Sequence, residues 1–505
     1  MWVLALDVGT SSARAVGYDA AARPIAGLDA SIPYEPVLTA DGGVELDADH
    51  VLEAVTGAID RCVAGATEPP AAIGASTFWH GLLLLDGAGA PLSPVFTWAD
   101  TRSAAAAKAL RARLDEASIH ARTGAPLHAT FFPAKLAWLR EREPTRLARA
   151  ATVCGFAEYF LLRMTGRLAS SLSMASGTGL LDQSGGTWDP AMLEAAGVAA
   201  RQLPPIDDAP VRGLELPWQR RWPALEDTLW LPAAGDGACS NLGSGCIGPD
   251  RVALNVGTSA ALRLVTEAAP SVPWGLWHYR VDARRHLVGG ATSEGGNVWA
   301  WARRVLALPE RDGAVEEALA AAEPDGHGLT ALPFLAGERS TGWHEDARAA
   351  LTGLGLATTA PDMLRALLEA VAFRLGAVYE RLAPLASSDH MVVATGGALA
   401  RSPTWARIVA DVLGRPLEIS ALAEASGRGA RSWLWRPSGR PSLRRCPPAA
   451  SLRPMAAATP CSPPPWGASG TCMTSLSGHA SPERIRSPCE SPSGVTTPAF
   501  PSRRM

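Results

Sequence analysis

A short phrase that could bind phosphate occurs twice in the chain. Residues 5–11 read Ala-Leu-Asp-Val-Gly-Thr-Ser, and residues 253–259 read Ala-Leu-Asn-Val-Gly-Thr-Ser. A tight turn with glycine at its apex exposes backbone N–H groups, and the neighbouring hydroxyl groups add donors that suit phosphate oxygens. One such turn usually only connects two strands. Two of them about half a chain apart predict two related domains that close on one nucleotide from opposite sides.

Two aspartates lie where predicted strands end. Asp7 stands beside the first turn, where a carboxylate could hold Mg²⁺ through water, although a strand-ending turn residue is an equal alternative. Asp236 follows the predicted strand 230–234 between two glycines, and there it could accept the proton of a hydroxyl that attacks a phosphoryl group. A lone Asp in such a turn usually bonds to nearby backbone. Beside two phosphate turns, the catalytic interpretation of Asp236 is favoured.

Residues suited to a sugar lie between these aspartates. Trp79 and His80 precede a predicted hairpin at 82–91, and Trp98, Asp100 and Arg102 follow it. Tryptophan faces stack on the apolar faces of sugars, and Asp, Arg and His orient hydroxyl groups. Read alone, the two tryptophans are more often core residues, and the Asp-Arg pair could be a surface ion pair of little energetic value.

Glycine pairs recur in the second half of the chain, at 289–290, 295–296 and 396–397. At strand-to-helix turns, glycines could admit a flat adenine ring and let helix N-termini face phosphate. Asn297 follows the second pair. The chain has only three Asn and only two Lys, against 44 Arg. Such a bias is typical of a GC-rich coding sequence, so Asn and Lys that remain are more often chemically needed.

These residues need a mixed α/β framework to hold them. Alternating and helical spacings predict strands and helices in turn, which indicates an α/β fold. The predicted strands are 2–7, 13–18, 82–86, 230–234 and 391–394, and the mixed pattern continues at 132–142 and 157–164. The predicted helices are 48–64, 104–117, 296–306, 314–322, 361–385 and one through 405–413. We predict a first domain at 1–243, a second at 244–430 and a separate segment at 431–505.

Length and composition narrow the class of protein. A chain of 505 residues is too long for one core, so two domains are expected. The net charge of −3 argues against a nucleic-acid partner or an anionic membrane. We find neither a secretory signal nor a run of about 18 apolar residues that could span a bilayer. The eight Cys lack metal-ligand or redox spacing, which favours reduced thiols in the cytoplasm.

The composition changes abruptly after about residue 430. Residues 431–505 contain 14 Pro, 13 Ser and 10 Arg with only two acidic residues, and no helix or strand periodicity is evident. A natural disordered tail is one interpretation. We favour out-of-frame translation of a GC-rich gene, because four Cys and three Trp are unusual in a disordered tail. The coding DNA tests this: an alternative frame should restore a helix rich in Ala and Leu.

From Met1 to about Ala430 the chain resembles the FGGY family of carbohydrate kinases. That resemblance implies a ribonuclease-H-like, actin-type pair of domains and ATP-dependent phosphorylation of a sugar-type hydroxyl. The motifs that carry it are Leu6-Asp7-Val8-Gly9-Thr10-Ser11-Ser12-Ala13-Arg14, Trp98-Ala99-Asp100-Thr101-Arg102, Lys135-Leu136-Ala137-Trp138-Leu139, Gly235-Asp236-Gly237, Asn255-Val256-Gly257-Thr258-Ser259, Gly337-Glu338-Arg339-Ser340, Gly353-Leu354-Gly355-Leu356 and Thr395-Gly396-Gly397-Ala398.

The resemblance also implies roles for individual residues. Asp236 would be the general base and a metal-associated carboxylate, and Asp7 would hold Mg²⁺. The residues facing the phosphates of ATP would be Thr10, Ser11, Arg14, Gly257 and Thr258. Those holding the nucleoside would be Asn297, Gly396, Gly397 and Arg401. Those contacting the sugar would be Trp79, His80, Asp100 and Arg102.

The chain also departs from the family pattern. Ala99 stands where relatives often have a polar residue, and Phe131-Phe132-Pro133-Ala134 departs from the usual signature. Relatives continue beyond residue 430 with a helix of the second domain and a further segment. Because the tail replaces both, we expect poor folding or loss of activity to be a real alternative for this chain.

The sugar-site residues are most similar to the gluconate kinase branch of the family. Pentulose kinases such as xylulokinase are the alternative, because they also have His at the position of His80. Glycerol kinase fits less well, since Trp79-His80 replaces an Arg-Glu pair. An actin-like ATP-binding protein and an inactive remnant are the alternatives from other classes. The expected partner is a small sugar or sugar acid, and a homodimer stays open.

Overall fold

The computed structural model describes residues 1–420, 425–434 and 448–452. Its strands are β1 (Val3–Val8), β2 (Ser12–Tyr18), β3 (Pro24–Pro33), β4 (Val37–Leu38), β5 (Val44–Leu46), β6 (Ala72–Thr77), β7 (Leu83–Leu85), β8 (Val95–Phe96), β9 (Thr152–Cys154), β10 (Leu181–Asp182), β11 (Thr187–Trp188), β12 (Leu229–Trp230), β13 (Ala234–Gly235), β14 (Arg251–Val256), β15 (Ala260–Thr266), β16 (Trp277–Arg280), β17 (His286–Thr292), β18 (Thr330–Leu332), β19 (Ala350–Thr352), β20 (Met391–Thr395), β21 (Leu417–Ser420) and β22 (Pro448–Leu452). Its helices are α1 (Ala48–Val63), α2 (Ala104–Arg111), α3 (Glu116–Thr123), α4 (Phe132–Arg142), α5 (Pro144–Arg149), α6 (Phe156–Thr165), α7 (Leu172–Ser176), α8 (Pro190–Ala196), α9 (Leu216–Arg221), α10 (Asp236–Gly243), α11 (Gly296–Val305), α12 (Asp312–Ala321), α13 (Ala360–Leu382), α14 (Gly397–Arg401), α15 (Pro403–Leu413) and α16 (Ala425–Leu434).

The first large sheet has the order β3-β2-β1-β6, and β12 and β13 both pair with β6. Strands β1, β2 and β3 are antiparallel neighbours, whereas β1, β6, β12 and β13 run parallel. Asp7 therefore lies opposite Arg14 on β2 and in register with Ser76 on β6. Ser76 is in turn in register with Ala234 on β13. This register brings Asp7, near the end of β1, and Gly235, at the end of β13, to one edge of the sheet. Asp236 follows Gly235 directly.

The second large sheet repeats this arrangement. Its order is β16-β17-β15-β14-β20-β21-β22, with β17, β15 and β14 antiparallel and β14, β20 and β21 parallel. Asn255 on β14 is in register with Thr395 on β20, just as Asp7 is with Ser76. The first sheet packs in one large apolar cluster, which β16 of the second sheet joins through Trp277 and Tyr279, and most of the second sheet packs in another. The duplicated topology confirms the α/β fold with two related domains that the repeated phrase predicts.

Local sequence explains where several elements begin and end. The Thr359 side chain caps α13 by accepting a hydrogen bond from the N–H of Asp362, and the Asp362 carboxylate accepts one from the N–H of Thr359. The helix predicted at 104–117 is instead two helices, because the Asp115 side chain caps a new one, α3. The strand predicted at 230–234 is interrupted, with Pro232 between β12 and β13.

The glycine pair at 289–290 does not form a strand-to-helix turn, so that expectation is wrong. Both residues lie inside β17. A Cβ added to Gly289 would lie 2.5 Å from the carbonyl oxygen of Leu262, and one added to Gly290 would lie 2.5 Å from the side chain of Val378. These glycines therefore let a strand and a helix pack closely, and they do not line a nucleotide site.

Helix α16 falls in the predicted second domain but packs on the first. It contacts α10 and the strands β1, β2 and β6 of the first sheet. The two helices cross closely, since a Cβ on Gly243 would lie 1.7 Å from the carbonyl oxygen of Ala425, and one on Gly429 would lie 1.7 Å from that of Cys239. Regular structure thus extends past residue 430, in α16 and again in β22. The rest of the predicted 431–505 segment lies outside the described residues.

Within the described part of the chain, no helix is both long and apolar enough to cross a membrane. Four cysteines of the described residues are buried: Cys62, Cys154, Cys239 and Cys246.

Candidate active site

Asp236 is the first residue of α10, at the carboxyl edge of the first sheet. Strand β13 ends at Gly235, in parallel register with Thr77 on β6. One carboxylate oxygen of Asp236 accepts a hydrogen bond of 2.7 Å from the N–H of Gly237. Burial raises the pKa of Asp236, and the nearby Arg263 guanidinium opposes that shift. A carboxylate with a raised pKa at the positive end of a helix is suited to accept a proton from an alcohol.

The indole of Trp79 forms a floor beneath Asp236. Its Nε1 donates a 3.0 Å hydrogen bond to the carbonyl oxygen of Ser173, and only 5% of the residue is exposed. A Cβ on Gly177, Gly235 or Gly237 would lie 2.5, 1.9 or 2.7 Å from the indole ring. The glycines around Asp236 thus make room for Trp79.

Gly235→Ala tests this packing. The added methyl group cannot coexist with the indole, so we expect a loss of about 1–3 kcal/mol in the free energy of unfolding. Because the same shift displaces Asp236, turnover should fall as well. Gly87→Ala is the matched control, since a Cβ there has no atom within 4 Å. Equal thermal unfolding midpoints for the two variants would contradict the packing argument.

His80 presents a neutral imidazole beside Trp79. It has a left-handed backbone conformation with φ of 66°, and its Nδ1 lies 2.6 Å from the carbonyl oxygen of Gly177. A carbonyl only accepts, so Nδ1 carries the proton. Burial, with the positive charges of Arg339 and Lys135, holds the pKa of His80 well below its usual value. Nε2 therefore carries no proton and can accept a hydrogen bond.

Residues of both domains enclose one cavity around Asp236. Its volume is about 230 Å³. The residues that line it are Trp79, His80, Trp98, Asp236, Asn255, Ser259, Ala260, Ala261, Arg263, Trp277, Tyr279, Ala291 and Arg339. Asn255 and Ser259 belong to the second phosphate turn, so this turn and the Asp236 carboxylate line the same cavity. That the two turns close on one nucleotide stays a prediction.

Two arginines of this cavity were not among the predicted site residues. Arg263 lies on β15, and its Nε would be 2.9 Å from a Cβ added to Gly237. The Arg339 guanidinium lies 5.3 Å from the centre of the Trp98 ring. Among 44 Arg, neither residue could be singled out by its type.

Lys135 fixes the backbone around the cavity. Its ammonium donates to four carbonyl oxygens, those of His80 at 2.6 Å, Thr97 at 2.7 Å, Thr130 at 3.0 Å and Phe96 at 3.1 Å. The side chain is buried. It therefore joins the His80 segment to the segment that ends at Trp98. The rarity of lysine in the chain was a signal for this residue.

Asp100 and Arg102 form an enclosed ion pair. Nη2 of Arg102 lies 2.5 Å from Asp100 and 2.6 Å from Glu45, and its guanidinium covers the ring of Trp138 at 4.8 Å. Only 4% of the Asp100 side chain is exposed, so the surface-pair alternative is wrong. Neither residue lines the cavity. Their contact with a sugar stays a prediction. The structure shows that the ion pair holds the segment after Trp98 against Glu45 and Trp138.

The first phosphate turn lies at the same sheet edge as Asp236. Thr10 is half-buried and Ser11 is exposed at this turn, while Arg14 faces Asp7 across the hairpin. Asp7 and the strand that leads into Asp236 are two strands apart, which is about 10 Å at the usual strand spacing. Carboxylate oxygens are the ligands Mg²⁺ prefers, and it usually keeps several waters. The two residues thus fit a hydrated Mg²⁺.

The second phosphate turn is framed by the start of α11. The N–H of Gly296 donates to the carbonyl oxygen of Gly257 at 2.7 Å, and that of Asn297 donates to Thr258 at 3.1 Å. The Asn297 side chain bonds within its own loop, accepting from the N–H of Gly295 at 2.8 Å. The structure therefore brings together three of the predicted nucleotide residues.

The start of α14 closes the other side of this turn. Gly396 has φ of 92°, and a Cβ on it would lie 2.4 Å from the carbonyl oxygen of Val256. A Cβ on Gly397 would lie 3.0 Å from Nη1 of Arg401, so this guanidinium covers Gly397. All three predicted residues of this segment lie together beside the second turn.

A separate cluster of metal-ligand types is satisfied without an ion. Atoms of Asp325, His327 and Glu369 lie within 4.8 Å of one another. Nδ1 of His327 accepts from the N–H of Leu329, so Nε2 carries the proton and donates to Glu369 at 3.1 Å. Arg365 donates to the same carboxylate at 2.8 Å. We therefore assign this cluster to structural support.

Two domains of one topology, meeting around a carboxylate with phosphate turns at both sheet edges, define an actin-like ATPase or sugar-kinase architecture. Models of the FGGY family of carbohydrate kinases match the chain, the N-terminal domain at residues 2–242 and the C-terminal domain at 252–431. The chain belongs to this family and is a phosphotransferase that acts on a carbohydrate.

Individual relatives act on different sugars. The chain is 27% identical to a gluconokinase of Bacillus subtilis (strain 168) over 449 residues, and 32% identical to a xylulose kinase of Streptomyces rubiginosus over 440 residues. Each alignment covers 85% of this chain and 86% of the relative. The structure resembles gluconate kinase from Lactobacillus acidophilus, with a TM-score of 0.83 and 27% identity. The match covers 90% of this chain and 94% of the gluconate kinase. It also resembles a xylulose kinase from the same organism, with a TM-score of 0.84 and 26% identity. That match covers 95% of this chain and 99% of the xylulose kinase.

Proposed function

We propose that the chain transfers the terminal phosphoryl group of ATP to a hydroxyl group of a sugar acid, with gluconate as the substrate. The observation that carries the proposal is the position of Asp236 in a cavity lined by both domains. Gluconokinases and a gluconate kinase structure among the similar proteins support the choice of sugar. Arg263 and Arg339 give the cavity positive charge, which favours an anionic substrate.

The residues of the cavity suggest how the reaction proceeds. The Asp236 carboxylate accepts the proton of the substrate hydroxyl while the hydroxyl oxygen bonds to the terminal phosphorus of ATP. The bond between that phosphorus and the bridging oxygen, which leaves with ADP, breaks. Nε2 of His80 accepts a hydrogen bond from a second hydroxyl. Trp98 offers a ring face to the sugar. Closure of the domains excludes water, which limits hydrolysis of ATP.

The two turns supply the phosphate contacts in this proposal. Thr10, Ser11 and Arg14 act from the first domain, and Gly257 and Thr258 act from the second. The nucleoside lies against Asn297, Gly396, Gly397 and Arg401. Asp7 and Asp236 would hold Mg²⁺ through water, and the bound ion would neutralise phosphate charge.

Xylulose is the second candidate substrate, because the xylulose kinase structure resembles the chain equally well. A coupled assay of ADP release with gluconate, xylulose, ribulose and glycerol tests the proposal. We expect gluconate to give the highest kcat/KM. A preference for xylulose would replace the substrate. ATP hydrolysis that is indifferent to every sugar would instead indicate the actin-like ATPase alternative.

A further inference from the structure

The two arginines of the cavity are half-buried, and they differ from other arginines whose Nε atom is buried. The Nε atoms of Arg263 and Arg339 have neither solvent contact nor a hydrogen-bond partner among the described residues. Arg251 and Arg374 also have such Nε atoms, but each is paired through Nη2, with Glu418 and Glu338 respectively. For Arg263 and Arg339 the described part of the chain provides no hydrogen bond or ion pair to any guanidinium nitrogen.

Such an arrangement is costly unless an anion completes it. A guanidinium removed from water loses hydration that only a charged or hydrogen-bonding partner restores. Arg263 and Arg339 also repel each other, because each is within electrostatic range of the other. Asp236 attracts both, but a base that receives a proton cannot neutralise them throughout the reaction. One further anion between them would satisfy both charges.

We propose that Arg263 and Arg339 bind the carboxylate group of the sugar-acid substrate, an inference that rests on the proposed function. The planar donor fork of arginine matches the two oxygens of a carboxylate. The hydroxyl of Tyr279, also buried and unpartnered among the described residues, lines the same cavity and adds a donor. The pair thereby selects acids over neutral sugars.

The transferred phosphoryl group is the competing source of negative charge, and substrates without a carboxylate separate the two. Gluconate and glucitol, its neutral alcohol analogue, are compared as substrates for wild type, Arg263→Gln and Arg339→Gln. We expect kcat/KM for gluconate to fall at least about 30-fold, since one partner of a desolvated charge pair is lost. The kcat/KM for glucitol should fall far less, because the loss of either arginine affects it only through the Asp236 base, and the KM for ATP should stay within about threefold.

Binding without turnover gives a second measurement. Gluconate alone should raise the unfolding midpoint of the wild type and leave those of both variants unchanged. Without ligand, the variants should unfold no earlier than the wild type, because a half-buried guanidinium that makes no hydrogen bond within the described residues has been removed. Arg251→Gln is the matched control, since this arginine is paired with Glu418 and does not line the cavity. Its preference for gluconate should be unchanged.

Each other outcome overturns the inference in a recognisable way. An equal fall for gluconate and glucitol would assign the arginines to the phosphoryl group. No fall for either would leave them without a role in recognition. A wild type that phosphorylates xylulose but not gluconate would refute the proposed function itself, and that result is obtained before any variant is measured.

Discussion

Asp236→Asn is expected to lower kcat for sugar phosphorylation by about 10²–10⁴-fold, the usual contribution of a general base. The amide keeps the shape of the carboxyl group and can still accept from the N–H of Gly237. It cannot take a proton from the substrate hydroxyl. Because none of the predicted nucleoside residues lines the cavity, ATP without Mg²⁺ should bind with unchanged affinity. Single-turnover kinetics and nucleotide titration measure the two quantities separately.

Asp86→Asn is the control for this variant. Asp86 also accepts hydrogen bonds from nearby backbone, from the N–H groups of Ala88 and Ala90, but it lies in an exposed turn outside the cavity. It represents the turn-forming alternative for Asp236. If both variants kept full activity, Asp236 would be a turn residue and the proposed mechanism would be wrong.

The pH profile gives a second view of the same base. Since burial raises the pKa of Asp236, kcat/KM should fall as the pH decreases through this raised value, and the limb should be absent in Asp236→Asn. Glu294, near Arg339, also has a raised pKa, to about 7. Glu294→Gln therefore separates the two groups. The raised pKa of Glu294 also affects stability, and in the direction opposite to the effect on kcat/KM. Because the folded state retains the proton of Glu294, the free energy of unfolding falls as the pH rises from 4.5 to about 7.

The sequence predicted the duplicated sheets because each repeat copy is a local signal, an apolar strand that enters a glycine turn. Pairing beyond the hairpin is not local. The register that aligns Asp7, Ser76 and Ala234 joins segments about 70 and 160 residues apart, and nothing in any one of them specifies the others. The packing of α16 on the first sheet was hidden for the same reason.

Candidate site residues were predictable where their type is rare or their motif is distinctive. Asp236 and His80 stand in such motifs, and the structure places both in the cavity. Arg263 follows the second turn on an ordinary strand, and only its unpaired guanidinium distinguishes it. The pairing of Arg102 with Glu45 was equally invisible, because it depends on where β5 meets the Trp98 segment.

Lys135 shows what composition can reveal before a structure does. It is one of only two lysines in the chain, and its ammonium lies within hydrogen-bond distance of four carbonyl oxygens. Burial lowers the pKa of Lys135 to about 7, and the negative charge of Asp100 opposes this shift. The desolvation of the ammonium is thus offset by hydrogen bonds that hold the His80 segment and the Trp98 segment together.

Lys135→Met should therefore lower the free energy of unfolding by about 3 kcal/mol, since buried carbonyl oxygens lose their donor while no ammonium remains to be desolvated. Catalysis should suffer more than stability alone explains, because His80 and Trp98 are no longer tied together. Lys108→Met, which changes the other lysine on the exposed face of α2, is the control. Chemical denaturation and kcat/KM below the unfolding transition measure the two effects. If folded Lys135→Met retained wild-type kcat/KM, the lysine would stabilise the domain without positioning its active site.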